Sequence, residues 1–88
     1  MRNEADVKKR ITRLLKKYAI WYTMPHQAGF SQPGVPDYLC CVRGRFLGIE
    51  AKFGKNTTTP MQERQLGDIR KAGGRAIVVN DKNIEQLE

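Results

Sequence analysis

The chain has 88 residues, so we expect one domain with one modest hydrophobic core. Its composition, with 40% hydrophobic and 28% charged residues, is typical of a soluble globular protein, and no apolar run approaches the ~18–20 residues of a membrane-spanning helix. Sixteen Lys and Arg against nine Asp and Glu give a net charge of +7, and this basic excess favours a polyanionic partner such as nucleic acid.

The first predicted element is a helix from about Glu4 to Ala19. Apolar residues recur there at helical spacing, namely Val7, Ile11, Leu14, Leu15 and Tyr18. Asn3 is a suitable N-cap for this helix. The other face carries six Lys and Arg residues, which are as compatible with a solvated surface as with contacts along a phosphate backbone.

The rest of the chain predicts short strands, loops and one more helix. Strands are expected over residues 20–24, 38–42, 46–53 and 75–80. A helix is expected from Met61 to Ala72, capped by Thr59 and stopped by Gly73-Gly74, and a final helical turn within residues 81–87. The segment 26–36 is a long loop rich in Gly and Pro. The order α-β-β-β-α-β predicts an α/β domain with helices on a small mixed β-sheet.

Two adjacent cysteines, Cys40 and Cys41, lie within the second predicted strand. Neighbouring strand residues point to opposite faces, and the single His26 does not complete a zinc-ligand spacing with them. We therefore interpret both as reduced structural residues. The residues after Met1 lack the apolar segment of a signal peptide, so we expect a cytoplasmic protein.

The two central strands are separated by a tight-turn signal at Arg43-Gly44. A two-residue turn would place Asp37 directly opposite Glu50, on the same face of the hairpin. Lys52, two positions beyond Glu50, would share that face. A three-residue turn would shift the pairing by one, although Asp37 could still reach its diagonal neighbour.

Two facing carboxylates and a lysine form a sufficient set of groups for phosphodiester hydrolysis. Mg²⁺ and Mn²⁺ take carboxylate oxygen ligands and lower the pKa of a bound water. A lysine beside them can hold the attacking water and oppose the negative charge of the transition state. The same cluster is also compatible with a surface salt-bridge network, so a non-catalytic basic nucleic-acid-binding module is the alternative.

Three motifs favour the catalytic interpretation: Gly34-Val35-Pro36-Asp37, Gly48-Ile49-Glu50-Ala51-Lys52 and Thr59-Pro60-Met61-Gln62. Together they resemble the VRR-NUC family, a branch of the PD-(D/E)XK nuclease superfamily, and more distantly the archaeal Holliday-junction resolvases. The resemblance runs from Glu4 to about Val79. It implies a restriction-endonuclease-like core within a single domain over residues 1–88, and a metal-dependent DNA endonuclease.

The resemblance also implies roles for individual residues. The catalytic set would be Asp37, Glu50, Lys52 and Gln62. The ligands of Mg²⁺ or Mn²⁺ would be Asp37, Glu50, the backbone carbonyl of Ala51, and Glu4. For Glu4, a simple interaction with the helix dipole is an equally open interpretation.

The candidate DNA contacts lie near the motifs in the sequence: His26, Ser31, Lys55 and Arg64. A structural role for His26 stays open as well. The expected partner is DNA, with branched substrates such as Holliday junctions or flaps preferred, and a homodimer would bring two active centres to two strands. A short free-standing nuclease of this type is associated with phages and mobile elements.

Overall fold

A computed structural model describes residues 1–26 and 32–87 of the chain. Its elements are α1 (Glu4–Lys17), β1 (Trp21–Thr23), β2 (Tyr38–Val42), β3 (Arg45–Ala51), α2 (Pro60–Lys71), β4 (Arg75–Val79) and a short 3₁₀ helix (Ile84–Leu87). The predicted order α-β-β-β-α-β and the final turn are confirmed. Over the described ranges, no helix has the length and apolar character needed to cross a membrane.

The predicted element ends differ from the observed ones by a few residues. Helix α1 stops at Lys17 rather than Ala19, because Ala19 adopts a left-handed backbone conformation with φ 53° that ends the helix. Strand β3 ends at Ala51 rather than Phe53. Asn3 caps α1 as expected, since its side chain accepts a hydrogen bond from the Asp6 amide.

The four strands form one mixed sheet in the order β1-β2-β3-β4. Strands β1, β2 and β3 are antiparallel neighbours, whereas β3 and β4 are parallel. A parallel pair needs a crossover connection, and α2 provides it. The carboxyl ends of β3 and β4 therefore lie at the same end of the sheet as the start of β2.

The β2–β3 hairpin has the two-residue turn. Arg43 and Gly44 have φ values of 52° and 82°, as expected for the type I′ turn that matches the twist of paired strands. The pairing runs from Val42 opposite Arg45 to Tyr38 opposite Ile49. This is the register predicted for a two-residue turn, and the three-residue alternative is wrong.

The helices cover the two faces of the sheet. Helix α1 packs on the face that carries Tyr38, Cys40 and Ile49, and these residues belong to the main buried cluster. Helix α2 covers the other face, where Ile69 approaches Gly48. Cys40 is buried and Cys41 is exposed, as the alternation of strand side chains predicts. Both are free thiols.

Gly34 lies directly against the start of α2. Its φ is 82°, and a Cβ atom at this position would lie 2.5 Å from the backbone carbon and oxygen of Met61. The side chain of Gln65 adds hydrogen bonds to Pro33 and Gln32 in the same segment. The chain leading to Asp37 is thus fixed against the first turn of α2.

Gly34 and Gly44 offer a matched test of this close approach. Both have φ 82°, but a Cβ at Gly44 would meet nothing within 4 Å. We expect Gly44→Ala to cost about 1 kcal/mol, from backbone conformation alone. Gly34→Ala should cost about 3 kcal/mol or more, because the backbone of α2 must also move. Urea denaturation measures both, and equal losses would contradict the proposed contact.

Candidate active site

The predicted catalytic residues converge at one end of the sheet. Asp37 immediately precedes β2, and Glu50 and Ala51 are the last residues of β3. Lys52 follows them, and its amide donates a hydrogen bond to the Val79 carbonyl. Because β2 and β3 are antiparallel and β3 and β4 parallel, these residues share one end of the sheet.

The carboxylate of Asp37 is held by the backbone of β3. The Ala51 amide donates a hydrogen bond of 2.8 Å to Asp37 Oδ2. This bond joins the two strands just beyond their last paired residues, Tyr38 and Ile49. Asp37 also lies close enough to Glu50 to raise the pKa of that carboxyl group.

Glu50 is the one buried charged side chain among the described residues, with 3% exposure. Gln62 Nε2 donates a hydrogen bond of 3.3 Å to Glu50 Oε2. The other end of the same amide, Gln62 Oε1, accepts the Thr59 amide at 2.9 Å. The capping box of α2 therefore fixes which end of Gln62 faces Glu50.

The environment of Glu50 favours its protonated form. Burial, followed by the hydrogen bond and negative charge of Asp37, raises its pKa from 4.5 to about 8. The positive charge of Lys52 acts in the opposite direction and lowers the pKa of Glu50. Lys52 is thus close enough to influence the carboxylate, as its placement on the same strand face predicts.

Helix α1 adds a lysine that the sequence did not single out. Lys8 Nζ lies 3.5 Å from Asp37 Oδ1 and 3.6 Å from Glu4 Oε2. Burial lowers the pKa of Lys8, but the charges of Asp37 and Glu4 outweigh burial, so the pKa is raised overall. The spacing of Glu4 and Lys8 signals a helical ion pair, but nothing local in the sequence signals the contact with Asp37.

The predicted DNA contacts lie outside this cluster. His26, Lys55 and Arg64 are exposed: His26 follows β1, Lys55 is in the loop after β3, and Arg64 is on α2. Ser31 falls outside the described residues. The structure therefore brings together Asp37, Glu50, Lys52 and Gln62, whereas the predicted phosphate contacts His26, Lys55 and Arg64 are not part of this cluster.

The donor set fits a hard divalent cation. Asp37 and Glu50 bring two carboxylates into contact, an arrangement whose repulsion a cation between them would relieve. The contribution of Glu4 is less direct, because Lys8 lies between it and Asp37. Within residues 1–26 and 32–87, no three His, Cys, Asp or Glu side chains are gathered as a ready-made metal site.

Comparison of the fold with solved structures identifies a VRR_NUC domain as similar, with a TM-score of 0.77 and 25% sequence identity. The match covers 96% of this chain and 91% of that chain. No family model matches the sequence, and no curated protein does. The structural likeness confirms both the resemblance to VRR-NUC nucleases and the predicted α/β fold.

The raised pKa of Glu50 predicts how metal-free stability depends on pH. Between about pH 4.5 and 8 the folded protein binds more protons at Glu50 than the unfolded chain, so stability falls as pH rises through this window. Glu50→Gln removes this loss, because the amide can still donate to Asp37 and accept from Gln62. We expect the variant to melt at least ~4 °C above the wild type at pH 8, equivalent to about 1 kcal/mol.

Thermal melts in EDTA from pH 5 to pH 8 measure this difference. The two proteins should melt at similar temperatures at pH 5, and the gap should widen toward pH 8. The two proteins share every other titrating group. If the difference between their melting temperatures stays constant from pH 5 to pH 8, the pKa of Glu50 is not raised in the folded state.

Proposed function

We propose that this VRR-NUC-like domain is a divalent-metal-dependent endonuclease that hydrolyses DNA phosphodiester bonds. The observation that supports this most directly is the convergence of Asp37, Glu50, Lys52 and Gln62 at one end of the sheet. Each has a defined place relative to the others, and together they provide the groups that such hydrolysis requires.

Asp37 and Glu50 would hold Mg²⁺ or Mn²⁺, with the Ala51 carbonyl as a further ligand. When bound, the ion supplies an activated water and stabilises negative charge on the phosphate. The Ala51 amide keeps Asp37 oriented, and Gln62 keeps Glu50 oriented. Both carboxylates are thus positioned before any ligand arrives, which reduces the reorganisation that binding requires.

Lys52 would act on the nucleophile and the phosphate. Its positive charge lowers the pKa of Glu50, so the ammonium group acts electrostatically on one of the two proposed ligands. From there it can hydrogen-bond the attacking water and oppose the charge that develops on the phosphate.

DNA would be bound largely through its backbone. The net charge of +7 supports binding through phosphate neutralisation, and a groove along α1 is lined by Arg2, Lys9, Arg10 and Arg13 with Met1 and Asp6. Lys55, Arg64, His26 and Ser31 are the further proposed contacts. Contacts of this type bind without reading base sequence, which suits selection of DNA by shape.

We also propose that the domain acts as a homodimer on branched DNA. Trp21 and Phe46, two large apolar side chains of the sheet, are exposed in the single chain, and such residues are enriched at interfaces. Two copies would bring two active centres to two strands. Light scattering measures the mass, and cleavage of four-way, flap and linear duplex DNA compares the substrates.

Metal-dependent cleavage is the decisive prediction. Wild-type protein should cut DNA with Mg²⁺ or Mn²⁺ and not in EDTA. Lys52→Ala and Asp37→Asn should each lose at least ~100-fold in rate, since the first removes the ammonium group and the second removes a ligand charge while keeping an oxygen for the Ala51 amide. Gel analysis of labelled four-way, flap and linear duplex substrates measures the rates.

Lys71→Ala is the matched control. Lys71 is an exposed residue at the end of α2, at the opposite end of the sheet from Glu50. Its replacement changes the net charge by the same amount as Lys52→Ala, and it should leave the cleavage rate within twofold of the wild type. Binding of DNA without cleavage under any metal would refute the nuclease and favour the basic binding module.

A further inference from the structure

We propose that Lys8 is an internal counter-ion of the metal site, which holds Asp37 and Glu4 in the metal-free protein and weakens metal binding by competing for them. This inference rests on the proposed function. It assigns to a second residue of α1, one turn after the predicted ligand Glu4, a part in setting the metal affinity of the site.

The geometry places Lys8 at one of the two oxygens of the Asp37 carboxylate. The two oxygens of Asp37 have different partners: Oδ2 accepts the Ala51 amide at 2.8 Å, and Oδ1 lies 3.5 Å from Lys8 Nζ. Because Oδ2 is already held by the backbone, Oδ1 is the oxygen at which the ammonium group and a cation would meet.

The backbones on either side of this contact are fixed together. Tyr38, the neighbour of Asp37, is fully buried, and its hydroxyl donates a hydrogen bond of 2.8 Å to the Lys8 carbonyl. The Thr12 hydroxyl lies 2.8 Å from the hydroxyl oxygen of Tyr38. Helix α1 therefore cannot withdraw Lys8 from Asp37 without breaking buried hydrogen bonds.

The side chain of Lys8, by contrast, is free to move. It is 33% exposed and is paired with the carboxylates of Asp37 and Glu4 at 3.5 and 3.6 Å, so its ammonium group can exchange these partly solvated ion pairs for water. A divalent ion on Asp37 would repel the ammonium group. The flexible side chain would then swing to solvent, and this lost pairing would be subtracted from the affinity for the metal.

Binding of Mn²⁺ measured by isothermal titration calorimetry tests the inference without reference to cleavage. Lys8→Met keeps the apolar stem and removes the charge, and Lys8→Gln is a second, polar variant in case the first folds poorly. Both residues are good helix formers. We expect each to bind Mn²⁺ at least about fivefold more tightly than the wild type, or about 1 kcal/mol.

Lys71→Met is the control for net charge, because Lys71 is an exposed helical lysine at the other end of the sheet. Its Mn²⁺ affinity should stay within about twofold of the wild type. A second readout is the melting temperature: Mn²⁺ should raise that of Lys8→Met by more than it raises that of the wild type.

The outcomes separate the two proposals. If the wild type binds Mn²⁺ and the Lys8 variants bind no more tightly, the counter-ion role is refuted and the metal site stands. If neither the wild type nor the variants bind Mn²⁺, the proposed metal-dependent function fails, and the role of Lys8 is refuted with it.

Discussion

The hydrogen bond from the Ala51 amide to Asp37 joins the two halves of the candidate site, and it exists only in one register of the β2–β3 hairpin. Side chains alternate along a strand, so a slip of one residue would turn Glu50 away from Asp37. The two-residue turn at Arg43-Gly44 prevents that slip, because both residues adopt the positive φ values that a type I′ turn requires. The turn at one end of the hairpin thus determines which side chains face each other at the other end.

Each helix makes one hydrogen-bonding contact that helps to position side chains at the end of the sheet where the candidate site lies. The capping box that starts α2 also orients Gln62 toward Glu50. The buried hydroxyl of Tyr38 joins the Lys8 carbonyl of α1 to the strand that follows Asp37. In each case a side chain that hydrogen-bonds to the backbone also helps to position a polar side chain of the candidate site. The same contacts therefore contribute to the fold and to the site.

The cluster is also where stability and function conflict. A buried carboxylate beside a second carboxylate raises the free energy of the metal-free fold at neutral pH, as the raised pKa of Glu50 reflects. The surrounding groups offset part of this: Lys52 from the same strand, and Lys8, which pairs with Asp37. In the proposed function a bound cation would relieve this repulsion, and it would compete with Lys8 for Asp37.

The sequence predicted the element order and, for a two-residue turn, the hairpin register and the residues that share its face; the structure excluded the three-residue turn. These follow from short-range physics: helical and strand periodicity, the caps of α1 and α2, and the turn chemistry of Arg43-Gly44. The three motifs then predicted Asp37, Glu50, Lys52 and Gln62, all of which the fold brings to one end of the sheet. The end of α1 was misplaced by two residues, because backbone conformation at Ala19 has no clear local signal.

Only the tertiary structure decided which long-range neighbours complete the site. The approach of Gly34 to Met61, and that of Lys8 to Asp37, join segments 27 and 29 positions apart in the chain. Such contacts depend on how a helix sits on the sheet, and that is set by packing of the whole core rather than by local periodicity. Periodicity identifies the face of α1 that is buried, but the depth and angle of packing determine which of its lysines reaches a carboxylate.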